Sequence, residues 1–258
     1  MWMPNGSMRR FSALTAMVLG LVLQAGTTAA SAFKVTPVRV TFSGPSSTLL
    51  TLKNESDQPL RFQISSFVWS QDVKGAMQLT PTDDIVFFPA LLSLNPGEER
   101  KVRVAATVAA KDVEKTYRIF FEELPPLEKP ESSGAQVRIL TKMGIPIFVS
   151  PEKANAEPSI GSVKLENGTL AFDVANSGNA HFTLEGVKLQ GVGANGEPLF
   201  DRQLEGWYVL AGTPRTYSVE IPAGTCSKLK KIVIEAQTDI SGKAPITREI
   251  EVSPALCK

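Results

Sequence analysis

The side chains that could do covalent or proton-transfer chemistry are few and scattered. His181 is the only histidine, so a His-based metal set or a base oriented by a second imidazole lacks its parts. Glu122 and Glu123 are adjacent carboxylates, but neighbours on a strand point to opposite faces and do not share one site. No serine sits in a GxSxG elbow. The two cysteines, Cys226 and Cys257, do not form a CxxC pair, and their placement points to a structural disulfide instead. Between them lie two strand-like runs, KKIVIEAQ and ITREIEV, joined by a turn over Asp239 to Lys243. A turn centred between Ser241 and Gly242 leaves the two thiols equally far from it, facing each other at the open end of a hairpin. Closing a loop of roughly 30 residues contributes ~3 to 4 kcal/mol in the chain-entropy treatment. The expected chemistry is therefore a staple, with no catalytic residue, no metal and no cofactor.

A lasting disulfide needs an oxidising compartment, and the start of the chain supplies an export signal. Arg9 and Arg10 precede the apolar run Phe11 to Gln24, and Ala30-Ser31-Ala32 offers the small residues of a cleavage site before Phe33. Residues 1–32 are read as a signal peptide. The run is too short and too broken by serine and glycine to span a membrane, so no direct membrane insertion is expected. Of 27 basic and 26 acidic residues, the leader holds only the two arginines. A mature charge near −1 gives no attraction for nucleic acid or an anionic surface.

The elements that must carry these residues read as β throughout. Strands are expected near Lys34 to Phe42, Ser47 to Asn54, Leu60 to Ser70, Ile85 to Phe88, Leu91 to Leu94, Glu99 to Ala105 and Thr116 to Leu124, punctuated by Gly, Pro, Asn and Asp. The longest is Ala135 to Val149, whose odd positions Val137, Ile139, Thr141, Met143, Ile145, Ile147 and Val149 are apolar or β-branched, the period of a half-buried strand. Pro146 in the even row cannot donate to a neighbour, which places that end at a sheet edge. Such a strand is either a core element or a surface for another chain. A polar linker over Glu152 to Pro158 is followed by a second strand set from Val163 to Val252. The fold class is all-β: two immunoglobulin-like β-sandwich domains in tandem, residues 33–151 and 152–258. No residue-level repeat relates them. Trp69 is read as core packing, and Asn54-Glu55-Ser56 and Asn167-Gly168-Thr169 as turns rather than glycosylation sites.

VTPVRVTFSG (35–44), LTLKNESDQPLRFQISSFVWSQ (50–71), FPALLSLNPGEERKVRV (88–104), YRIFFEELPP (117–126) and the long strand before Pro151 occur in the order seen in PapD-like periplasmic pilus chaperones. The first half resembles that family throughout. The second resembles it through VANSGNAHF (174–182) and the closing hairpin, and GIPIFV and SGNAHF are similar to its archaic branch. The resemblance implies a periplasmic, non-enzymatic chaperone that lends a strand to pilus subunits and delivers them to an outer-membrane usher. Val137 and Ile139, with Thr141 as a weaker third, match the donor positions, and the row down to Ile145 would widen the contact. Arg39 matches the arginine that anchors the subunit's C-terminal carboxylate, for which a planar guanidinium is suited. The family's partner lysine falls on Pro146, leaving Arg118 first and Lys142 second as substitutes. An arginine expected before Pro151 is Ser150, which puts in question an interdomain charge cluster around Glu123. A secreted β-sandwich adhesin or carbohydrate-binding module stays open as the alternative function, disfavoured by 7% aromatics without a cluster, and a secreted hydrolase lacks its nucleophile–base pair; self-association of the free chaperone through its edge is left open.

Overall fold

The computed structural model describes residues 32–127, 139–222 and 224–257; the leader, but for Ala32, lies outside them. The first half comprises β1 (Phe33–Thr36), β2 (Val40–Phe42), β3 (Ser46–Asn54), β4 (Leu60–Gln71), β5 (Met77–Pro81), β6 (Ile85–Phe88), β7 (Leu91–Leu94), β8 (Glu99–Ala106), β9 (Lys115–Leu124) and β10 (Lys142–Val149). One sheet runs β1-β3-β8-β6, the other β2-β10-β9-β4-β5 with β7 also on β4. Alternation drives both: Leu50 and Leu52 of β3, Val102 and Val104 of β8, and Phe62 of β4 meet Ile119, Phe121 and Ile147 in one core. The expected strand Lys34 to Phe42 is broken at Pro37, so that β1 pairs with β3 while β2 crosses to run parallel to β10. Strand β5 is not among the expected strands: Met77 and Leu79 alternate with Gln78 and Thr80, but the run is only five residues long, all exposed, and ends in a proline.

The second half comprises β11 (Pro158–Glu166), β12 (Thr169–Asn176), β13 (Phe182–Val192), β14 (Pro198–Glu205), β15 (Tyr208–Val209), β16 (Pro214–Glu220), β17 (Lys231–Thr238) and β18 (Ile246–Glu251). Its sheets are β11-β12-β16 and β14-β13-β17-β18, with β15 on β13. Leu170, Phe172 and Val174 of β12 face Leu189 of β13 and Ile232 and Ile234 of β17 across a separate core. The molecule is thus two immunoglobulin-like sandwiches in tandem.

Cys226 and Cys257 are bonded, with Cα atoms 5.7 Å apart. The hairpin differs from expectation by half a step. Ile232 pairs with Ile250 and Val233 with Glu249, which centres the ladder on Ser241, and the cysteines sit beyond the strands in short 3₁₀ turns at Cys226–Lys228 and Pro254–Cys257. The staple therefore ties two turns together rather than a ladder pair.

Strands β9 and β10 are buried on both faces. Tyr117, Ile119 and Phe121, with Ile145, Ile147 and Val149, point into the first core. Arg118, Phe120, Pro146 and Phe148 point the other way and are buried as well. A strand covered on both faces loses the polar row of a half-exposed one; the cover comes from the second sandwich at Arg118 and Phe148 and from Phe67 of β4 at Phe120.

Candidate functional site

The outer face of the β9–β10 pair forms the floor of a cleft between the sandwiches. Trp69 and Phe148 cluster there with Tyr208 and Leu210 from the second half. Trp69 is a packing residue, as expected, at 1% exposure, but the cluster it fills lies between the sandwiches: its ring is 5.4 Å from that of Tyr208, edge-on, because Trp69 falls on the outward row of β4. Gln71 donates to the Tyr208 carbonyl at 3.0 Å and accepts from Leu210 N–H at 3.3 Å. The Val73 carbonyl accepts from Thr216 N–H at 2.7 Å, so the β4–β5 hairpin grips the edge of the second sandwich.

Arg118 lies at the centre of this face, directly across from Phe67 on β4 and Pro146 on β10. Only 5% of it is exposed. Its guanidinium carbon is 4.1 Å from the Trp69 ring centroid, 5.5 Å from that of Trp207 and 5.7 Å from that of Tyr208. Nη1 donates to the Gly144 carbonyl at 3.2 Å. Gly144 is required at that point, since a Cβ there would lie 2.7 Å from the Phe120 ring. Nε and Nη2 are buried with no acceptor among the described residues. Burial holds the pKa of Arg118 below the ordinary arginine value, against a smaller opposing effect of the Tyr208 phenol. Aromatic faces offset part of the desolvation of a cation, but two donors remain to be met. Their planar fork matches a carboxylate.

The other two basic candidates are placed differently. Val40 pairs with Ile147, so continuing that register sets Arg39 beside Pro146, on the same face as Arg118 and two strand spacings away, about 10 Å between backbones. Arg39 is half-exposed and its Nη1 is 3.7 Å from Asp239 Oδ2 of the second half. Lys142 pairs with Glu122 at 2.8 Å, both half-exposed, and stands four residues along β10 from Pro146, roughly 13 Å away. Arg39 and Arg118 converge on the cleft; Lys142 lies outside it.

β10 itself is bordered by β9 along its whole length but by β2 only at Ile147, Phe148 and Val149. From Lys142 to Pro146 its other side has no ladder partner among the described residues, and upstream Ile139 is 69% and Leu140 42% exposed. Residues 32–155 match the family of pili and flagellar-assembly chaperones, through the model of the PapD N-terminal domain. This part of the chain is PapD-like. A search of curated proteins found no match. Among solved structures, the complex of CsuC with the tip adhesion subunit CsuE, from the archaic Csu pili of Acinetobacter baumannii, superposes with a TM-score of 0.59 at 19% identity, covering 85% of this chain and 98% of that one. The SafB chaperone complex with SafA pilin of Salmonella enterica gives 0.53 at 17% identity over 85% and 96%. The E. coli chaperone DraB gives 0.51 at 19% over 86% and 98%. These three likenesses are of fold.

Set against the pattern of the PapD family, the expected strand from Ala135 is shorter here: β10 starts at Lys142. Val137 lies outside the described residues. Ile139 is in no strand, and Thr141 is held by Glu123, whose N–H donates to the Thr141 carbonyl at 2.9 Å and whose Oε2 accepts from the Thr141 N–H at 3.3 Å. Ile145 does not extend an outward apolar row, because it is buried in the first core with Ile147. Glu123 lies at the Thr141 end of β9, on the core-facing row, and does not join the sandwiches. That task falls to Glu114, which the sequence did not single out. Its Oε2 accepts from the His181 N–H at 2.9 Å and lies 2.6 Å from His181 Nδ1, while Oε1 accepts from Ser150 Oγ at 3.2 Å. The His181 ring stacks on Phe148 at 3.5 Å. Trp207 and Tyr208 also escaped notice: a lone aromatic pair in a turn is silent until the fold brings Arg118 to it. Among the described residues no group of three or more acidic, His or Cys side chains is set to hold a metal ion, and no helix is long and apolar enough to cross a membrane.

Proposed function

We propose that the protein is a periplasmic chaperone for pilus subunits, exported by residues 1–32. Residues 33–151 would form the subunit-binding domain, and 152–258 the second wall of the cleft. The observation that carries the reading is the unpaired side of β10 from Lys142 to Pro146, running on into exposed Ile139 and Leu140. A subunit lacking its last strand pairs with this edge, and alternate side chains at Val137, Ile139 and Thr141 enter its groove, each large one contributing roughly 1.5 to 3 kcal/mol. The subunit's terminal carboxylate lies between Arg39 and Arg118, where Arg118 stands in for the family lysine that Pro146 replaces. Lys142 is too far along the strand to share that carboxylate. Delivery to an outer-membrane usher completes the cycle. No step is catalytic.

Replacing Val137 and Ile139 with aspartate should abolish co-purification of a co-expressed pilus subunit, since charges in an apolar groove cost several kcal/mol. The same charges at Gln136 and Arg138, in the opposite row, should do far less. Equal loss from both rows, or unfolding of the free chaperone by the first pair, would sink the donor-strand reading.

A further inference from the structure

The two unmet donors of Arg118 are sealed from water as well as from acceptors. A carboxylate cannot reach them unless a wall moves. Of the three rings around the guanidinium, Trp69 is 1% exposed and locked between β4 and the second sandwich, and Tyr208 is half-buried with its carbonyl tied to Gln71. Trp207 is different: 42% of it is exposed, and its ring touches the others through an edge-on contact with Tyr208 at 5.5 Å and the face it turns to Arg118. Its backbone is nevertheless fixed. The Trp207 carbonyl accepts from Leu184 N–H at 2.9 Å, and Gly206 passes so close to the Leu184 carbonyl that a Cβ could not fit there. A rigid backbone with a half-solvated ring allows movement about the side-chain torsions alone.

We infer that Trp207 is a side-chain lid over Arg118, which swings out when the carboxylate of a chain terminus enters and forms the two bonds that Nε and Nη2 lack. The inference rests on the carboxylate reading of the site given above and adds the gate and its residue. The closed ring keeps water off the cation and holds it by its π face; a terminal carboxylate offers a stronger, bidentate partner. The lid therefore yields to a terminal carboxylate, which has chain on one side only and brings both oxygens past the ring, and stays shut against the single carbonyl oxygen of an amide and against a mid-chain carboxylate flanked by chain on both sides.

The test uses the mature protein labelled with 5-fluorotryptophan, whose resonance for Trp207 is assigned from Trp207→Phe. It is titrated with acetyl-Ala-Val-Phe bearing a free carboxylate, the same peptide amidated, and an amidated peptide carrying an internal aspartate. The expected result is a shift of the Trp207 resonance with the free carboxylate alone, lost in Arg118→Gln. Trp207→Ala, whose site lies at the surface, should leave the thermal midpoint unchanged and make association of the free peptide faster. Binding that depends on Arg118 without any shift at Trp207 overturns the lid and leaves the carboxylate site standing. Absence of Arg118-dependent binding overturns both, and a shift with the aspartyl peptide overturns the restriction to chain termini.

Discussion

The turns that follow Asn54 and Asn176 are built from the same parts and serve different ends. Each asparagine is buried at the end of a strand, 0% and 2% exposed. The Nδ2 of Asn54 donates to the carbonyls of Gln58 at 2.8 Å and Leu94 at 3.2 Å, and that of Asn176 donates to Ala180 and Val209 at the same two distances. Each Oδ1 accepts a backbone N–H two residues on, from Ser56 and from Gly178. Each backbone carbonyl accepts from a glycine of positive φ, Gly97 and Gly212, at 3.0 Å. The first turn ends there, with Glu55, Asp57 and Gln58 in solvent. The second is the joint between the sandwiches: Asn179 Nδ2 donates to the carbonyls of Asp112 and Lys153, the Asn179 carbonyl accepts from Glu114 N–H, and Glu114 closes on His181. The backbone device is the same in both; three side-chain choices, Gly178, Asn179 and His181, turn one copy into an interface.

Removing the shared part should do the most. Asn54→Ala and Asn176→Ala each strand buried carbonyls and N–H groups, at a cost of roughly 2 to 5 kcal/mol. Urea melts should show both variants destabilised, with Asn176→Ala alone also loosening amide protection at Glu114 and His181. A smaller effect is expected from Gly178→Ala. Its Cβ would fall 2.3 Å from the Asn155 carbonyl oxygen and 2.7 Å from Glu157 N, so the 155–157 segment must shift, costing about 1 to 3 kcal/mol. Ser56→Ala in the solvent-facing turn should cost no more than about 1 kcal/mol; an equal loss at both positions would mean that the joint does not distinguish the copies. Glu114→Ala should change the melt least, since each sandwich keeps its own core, yet it should widen the distribution of inter-sandwich distances measured by paired spin labels. An unchanged distribution would show that the aromatic cluster alone fixes the cleft.

The all-β class, most strands and the cysteine pairing were legible because alternation and turn residues are local signals. The Asn54 and Asn176 networks were not, since their partners lie 40 and 33 residues away and the two segments share little beyond an asparagine and a distant glycine. Strand β10 was legible from Lys142 to Val149, and the expected strand is absent over Ile139 to Thr141, because alternation reports which side chains share a face and not how far a ladder extends. Arg118 was reachable from the resemblance, whereas its ring of Trp69, Trp207 and Tyr208 draws on β4 and on the start of β15, far apart in the sequence. Glu114 gave no signal, being one carboxylate ahead of a strand start.

Burial of β10 on both faces has a further consequence for the segment ahead of it. With Ile145, Ile147 and Val149 seated in one core and Phe148 against the other sandwich, the strand cannot slide by a residue without exchanging two filled faces. The double seat acts as a phase clamp. In a donor strand formed on a partner by continuing β10 upstream of Lys142, parity is set from downstream: one residue inserted between Thr141 and Ile145 swaps the rows, while two restore them displaced by about 7 Å along the strand.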